Sequence, residues 1–373
     1  MLENKYEDAI SSFRSILKDL PDSTEVMLLL SQAHLANGQK ELALENLVKA
    51  IDIDPMDAKL RMNVALLLVR NGELDDALDH IETVLAADPA SSAALRVKAE
   101  ILAQQSRLDD LEEVLSQLEK ASPETGLGAF GKGRLYKAQK NLTAAREAFE
   151  NALQREPDSI VALTELVNTE IALGQHDDSI NRLNGILEEN PEHKAAHVLL
   201  GLVYMEKKEY ASAADEFARQ LDSGQSSDML YVQLSRAHVM QGKVDEAIDI
   251  LNKGLQEFPD NSRLLFSLSG LHAMQGNLAK AEELSKYGTE KYPDNAQVVV
   301  SLASLYQRQK KYEEAISVYE KYHSVHSNNA VVVNNLVALL LDHRTDAKDF
   351  DRARKLASRL AQTNQAAFQD TLG

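Results

Sequence analysis

His323 and His326 stand three residues apart. That spacing sets two imidazoles on one face of a helix, where they could share a transition metal. No third ligand accompanies them, and Tyr and Ser residues surround the pair, so a wetted helix end is the better reading. Other chemistry finds less support. The chain has no Cys, which excludes disulfides, thiolate metal sites and Cys nucleophiles. It carries no phosphate-cradling glycine loop and no nucleophile elbow. Its 58 acidic residues are scattered as solvated charge on helix surfaces. No catalytic residue, metal site or cofactor is therefore expected.

The formal net charge is −18 over 373 residues. A nucleic-acid partner is not expected, because affinity for that backbone comes from Lys and Arg neutralising phosphates. An anionic membrane surface is disfavoured for the same reason. Direct membrane insertion is not expected either: the apolar run "LVALLL" at 336–341 is far too short to span a bilayer. Aromatics are only 5% and Trp is missing, while Leu and Ala dominate the apolar set, a composition that suits helices better than strands.

The elements that would position any site repeat with a fixed period. "KYEDAISSF" at 5–13 returns as "KYEEAISVY" at 311–319, an offset of 306 residues, or nine times 34. The eight prolines, at 21, 55, 89, 123, 157, 191, 259 and 293, all lie on one 34-residue register. Its two vacant points up to 327 hold Gln225 and Ser327. Twelve residues before the register stand Ala9, Ala43, Ala77, Ala145, Ala213, Ala247, Ala281 and Ala315, with Leu111 and Ser179 as exceptions. Seventeen residues before it stand Gly38, Gly72, Gly174, Gly242 and Gly276. The glycine closes one helix in a left-handed conformation. The proline ends the second helix and feeds the turn into the next. The alanine fits where two helices approach closely. Between these marks apolar residues recur at helical spacing, as in "AREAFENAL" at 145–153.

Each unit thus reads as a helix–turn–helix hairpin of 34 residues. It resembles the tetratricopeptide repeat: "LGLVYMEKKEYASAADEF" at 200–217 carries the small Gly201, Tyr204, Ala213 and Phe217 in that family's pattern. The resemblance covers the whole chain. It implies an all-α, right-handed superhelical solenoid over residues 1–373. Residues 1–21 read as a half repeat with the second helix only, and 22–327 as nine repeats of 34. Residues 328–365 read as a tenth repeat with a lengthened inner loop at 342–349, where Ala353 falls four residues late, and 366–373 as the truncated start of a further repeat. His34, His238 and His272 share one repeat position, where they serve as packing residues with a polar tip.

The family implies a non-enzymatic scaffold that holds a protein or peptide ligand on a concave face lined by first helices. The alternative is an accessory region of a larger enzyme or of an envelope or exopolysaccharide secretion machine. The carboxylate clamp of some relatives is missing here. Lys59 and Asn63 come nearest to it, but Leu28 and Gln32 precede them and Ala93 and Val97 follow. An asparagine ladder is missing too. The inward positions carry Lys59, Arg70, Arg96, Arg134, Lys137, Arg236, Arg263 and Arg308 against Glu25, Glu100, Glu165, Glu206 and Asp342, so this face is less acidic than the rest. In the later repeats it turns apolar. The candidate binding residues are Leu199, Leu202, Met205, Met229, Val232, Arg236, Met240, Arg263, Phe266 and Met274.

Solenoids usually end in polar capping helices, and Phe13 and Ile16 are expected to lie bare at the N-terminal end. The chain is thus expected to be a fragment of a longer protein, with self-association through its ends as the alternative cap. The style of the repeats resembles bacterial arrays. Some of those are exported, which favours the periplasm if a signal precedes this segment and the cytoplasm otherwise.

The alanine register makes a stability test. Ala213→Leu and Ala247→Leu should each destabilise by roughly 1–3 kcal/mol through overpacking, read as lowered thermal unfolding temperatures. Unchanged temperatures in both would place these alanines away from tight contacts.

Overall fold

The computed structural model describes residues 2–224 and 226–361. Over them the chain forms 21 α-helices, with no strand among the described residues. The helices fall into two compact units that divide between Gln175 and His176. The first unit holds α1 (Leu2–Asp19), α2 (Thr24–Ala36), α3 (Lys40–Ile53), α4 (Ala58–Asn71), α5 (Leu74–Ala87), α6 (Ser92–Gln104), α7 (Leu108–Ala121), α8 (Leu127–Ala138), α9 (Leu142–Arg155) and α10 (Ile160–Ala172). The second holds α11 (His176–Glu189), α12 (Lys194–Glu206), α13 (Tyr210–Asp222), α14 (Asp228–Met240), α15 (Val244–Glu257), α16 (Ser262–Met274), α17 (Leu278–Lys291), α18 (Ala296–Arg308), α19 (Tyr312–Val325), α20 (Ala330–His343) and α21 (Ala347–Ala361). Even-numbered helices are first helices of a repeat and odd-numbered ones are second helices.

The ends of these helices follow from local chemistry. At several first helices the residue two places after the proline register caps the exposed backbone N–H groups with a side-chain oxygen. Asp57 accepts from Lys59 N and Leu60 N, Ser227 from Leu230 N, Asn261 from Arg263 N and Leu264 N, and Asn329 from Val332 N. The first helices from α2 to α18 are each followed by a left-handed residue. Gly72, Gly242 and Gly276 take φ of 83°, 80° and 82° there. Ser106, Lys140, Lys208 and Lys310 take the same position without glycine, at φ 57–63°, so the turn is imposed by packing and not only by residue type.

Inside several hairpins a small residue on the first helix faces a large one sixteen residues later on the second. A Cβ on Gly201 would lie 2.6 Å from the Phe217 ring, and one on Gly133 would lie 2.5 Å from Phe149. Both rings are fully buried. The same two positions hold Ala65 with Ile81, Ala99 with Leu115, and Ala303 with Tyr319, all buried. Ser269 and Ser285 hold them in α16 and α17, where their hydroxyls hydrogen-bond at 2.7 Å and Ser269 also donates to the Ala281 carbonyl at 2.9 Å. In the first unit a continuous apolar core runs from Met27 to Leu135.

Neighbouring repeats are tied along their inner-turn edge. Gln105 donates to Asp75, Lys207 to Asp177 and Gln275 to Asp245, each pair 30 residues apart. Inside the second unit, buried His197 uses both ring nitrogens, on Glu216 Oε2 at 2.5 Å and on the Pro191 carbonyl at 2.8 Å.

Two expectations change. Residues 342–349 are not a long loop. α20 runs to His343 and α21 starts at Ala347, leaving a three-residue connection. The inserted residues become an extra first turn of α21, and the connection is anchored by Arg344 to Glu313 and Asp349. Ala353 keeps its place at 0% exposure. At the other end Phe13 is half-buried against Ile10 and Leu30, while Ile16 is exposed. Residues 366–373 lie outside the described residues.

The small–large pairing gives a reciprocal test. Gly201→Ala should lower stability by about 1–3 kcal/mol through the Phe217 clash, although alanine favours a helix by about 1 kcal/mol over glycine. Phe217→Leu should recover part of that loss in the Gly201→Ala background and not in the parent. A double-mutant cycle by thermal unfolding reads the coupling, and additive effects would refute the pairing.

Candidate protein-binding surface

The first helices of the second unit turn part of their surface away from the packing. Successive first helices repeat every 34 residues, so residues at that offset share a row. Met229 is 50% exposed, Met240 49%, Phe266 38% and Met274 52%. These four lie on α14 and α16. Arg236 and Arg263 are exposed, and Leu202 and Val232 are half-buried. Leu199 and Met205, expected on the same face, are buried at 5% and 7%. Met205 packs into the cluster of Ala213, Phe217, Leu230 and Leu234. One residue along a helix turns a side chain by about 100°, and that rotation separates buried Met205 from the row of Met240.

The basic residues are not equally available. Arg263 pairs with Asp228 at 2.9 Å, and Asn261 also donates to that carboxylate. Arg308 donates to the Ala273 carbonyl at 3.1 Å. In the first unit Lys137 pairs with Glu165 at 2.6 Å. Arg236 has no carboxylate partner among the described residues. Sequence reasoning missed Val331, which is 50% exposed. It stands three repeats after Met229, so the same 34-residue offset would have found it.

The histidines sort by packing. His34 is buried and its Nδ1 meets Gln39 Oε1 at 2.6 Å. Burial pushes His238 and His272 below the ordinary imidazole range. The ring of His326 lies 2.7 Å from Asp294, one repeat earlier. Among the described residues no three potential metal ligands converge, and no helix is long and apolar enough to cross a membrane.

Glu282 on α17 is half-buried at a repeat seam. It accepts from Lys286 at 2.7 Å, Lys311 at 3.0 Å and Gln309 at 3.1 Å. The Lys286 hydrogen bond, helped by Lys311 and Gln309, outweighs burial and holds its carboxyl down to about 2.

Hairpins stacked in this way define an all-α solenoid. Models of the tetratricopeptide repeat match residues 1–67, 136–188 and 238–305, with others at 64–124 and 164–228 and at 299–326. The first of these models alone matches half of the chain, and the chain belongs to the tetratricopeptide repeat family. Repeats of this family generally mediate protein interactions, and the family is typically non-catalytic. A stretch of 128 residues, 34% of the chain, is 23% identical to the BBSome complex member BBS4 of Mus musculus and spans 24% of that protein. A tetratricopeptide repeat protein from Parabacteroides merdae is 19% identical, covering 66% of this chain and 97% of its own, with a TM-score of 0.45. MamA is 19% identical, covering 42% and 91%, with a TM-score of 0.38.

The Glu282 seam predicts a pH dependence. Its folded-state pKa is lowered, so its stabilisation is present above the ordinary carboxylate range and is lost as pH falls toward about 2. Glu282→Gln should cost about 1 kcal/mol at pH 7 after allowance for solvent screening. The gap in unfolding temperature should narrow below about pH 4.5 and close near pH 2. A gap independent of pH would show that the carboxylate charge is not what holds the seam.

Proposed function

We propose that this chain is a non-enzymatic scaffold that holds a protein partner against the first helices of its second unit, across α14 and α16. The observation that carries this reading is the exposure of Met229, Met240, Phe266 and Met274 together on two successive first helices. Exposed apolar patches of this kind mark interaction sites. Three of the four are methionines, whose flexible thioethers adapt to varied partners. The acidic exterior opposes nonspecific adhesion, while Arg236 adds a residue type common among binding hot spots.

The competing reading puts a basic partner on the acidic second helices. Binding is tested with the full chain as bait, by quantifying captured proteins by mass spectrometry. Phe266→Ala combined with Arg236→Ala should weaken capture about tenfold or more. Reversal of the exposed outer acids, Glu246→Lys with Asp249→Lys, should change it little. If the outer reversals abolish capture and the Phe266/Arg236 variant binds normally, the working face is the acidic exterior.

A further inference from the structure

Gly270 sits in the middle of α16 with ordinary helical φ, and a Cβ there would meet no atom within 4 Å. Glycine inside a helix costs roughly 1 kcal/mol relative to alanine. Gly133 and Gly201 repay that cost by admitting a buried ring. Gly270 admits nothing from the described residues. Gly185 on α11 has the same open space, but Asn181 and Glu189 stand one turn away on its face, both exposed and polar.

The surroundings of Gly270 differ. Phe266 and Met274 lie one turn before and one turn after it, both exposed. The missing side chain therefore leaves a notch in an apolar ridge. Across the ridge, the repeat register puts Arg236 of α14 and Ser304 of α18 in the same row as Gly270, and both are exposed. Arg263, nearer the start of α16, is already neutralised by Asp228; Arg236, the cation of this row, has no carboxylate partner among the described residues.

We infer that the notch at Gly270 receives a bulky apolar side chain from a linear segment of another protein, and that an Asp or Glu neighbouring it in that segment pairs with Arg236. This rests on the proposal that the first-helix face is the working face, and adds the chemistry of what it holds. The close approach needs glycine, because a β-carbon there would stand where the incoming side chain must go. The free guanidinium supplies the charge complementarity and favours a carboxylate. The carboxylate is that of an internal side chain. A chain terminus would call for several converging donors, and this row offers one guanidinium and one hydroxyl.

The test selects a phage-displayed library of random 12-residue peptides against the full chain. The selected peptides should carry an aromatic residue, Leu or Met close to Asp or Glu. Gly270→Leu should weaken them about tenfold or more, while circular dichroism shows an intact helical fold. Gly270→Ala should raise the unfolding temperature, which separates a binding role from a structural one. Selection against Arg236→Glu should replace the acidic preference by Lys or Arg. Peptides that bind Gly270→Leu and Arg236→Glu as tightly as the parent overturn the notch. If Phe266→Asp then abolishes their binding, the first-helix face survives without the notch; if it does not, both proposals fall. A library that yields no enriched peptide also overturns the notch as a site for a linear segment.

Discussion

The distance between the two helices of a hairpin is set by a pair of side chains sixteen residues apart, and the rest of the fold depends on that distance. Where the first helix carries glycine, the second carries phenylalanine, as in Gly133 with Phe149 and Gly201 with Phe217. Where it carries alanine, the partner is Ile81, Leu115 or Tyr319. Interiors are packed close to crystal density, so the combined volume is constrained more tightly than either residue. The serine pair, Ser269 with Ser285, meets the same constraint with a hydrogen bond in place of bulk. Where this spacing is renewed from hairpin to hairpin within a unit, neighbouring repeats stack and bury what no single hairpin could bury alone.

Stacking also decides where charge goes. The acids at the start of second helices meet Gln or Lys from the following inner turn, as Asp75, Asp177 and Asp245 do. Glu282 gathers three donors and is held ionised far into acid. Much of the −18 charge remains on the outside. On the first helices of the second unit, Met229, Met240, Phe266 and Met274 are side chains that packing leaves exposed.

Those unused side chains are where a repeat protein is free to differ from one repeat to the next. The buried pairs obey the volume constraint, the caps obey backbone geometry, and the exposed row of a first helix obeys neither. Methionine, phenylalanine, arginine and an open glycine therefore occur there without harm to the stack. The mid-helix glycine at 270 is informative for this reason: it weakens its own helix and is repaid by no contact among the described residues.

The period of 34, the hairpin and the tight alanines were legible in the sequence. They are local necessities: proline and glycine act through the backbone of their own turn, and Ala213 or Ala247 at 0% exposure sits at a fixed offset from both. Three things were not legible. The side-chain cap of a first helix lies two residues after the proline, as at Asp57 and Asn261, beyond the dipeptide that marks the turn. The four extra residues near 342–349 became a helical turn, because Arg344 finds Glu313 one repeat back. The exposure of Met240 and the burial of Leu199 and Met205 were decided by packing, with Met205 held between its own hairpin at Phe217 and the next repeat at Leu230 and Leu234. A one-residue shift rotates a helical side chain by about 100°, and a sequence period of 34 cannot say which of two adjacent rows the neighbouring helix will cover. Only the packed stack makes that choice, since burial belongs to pairs of helices and not to the segment that encodes either one.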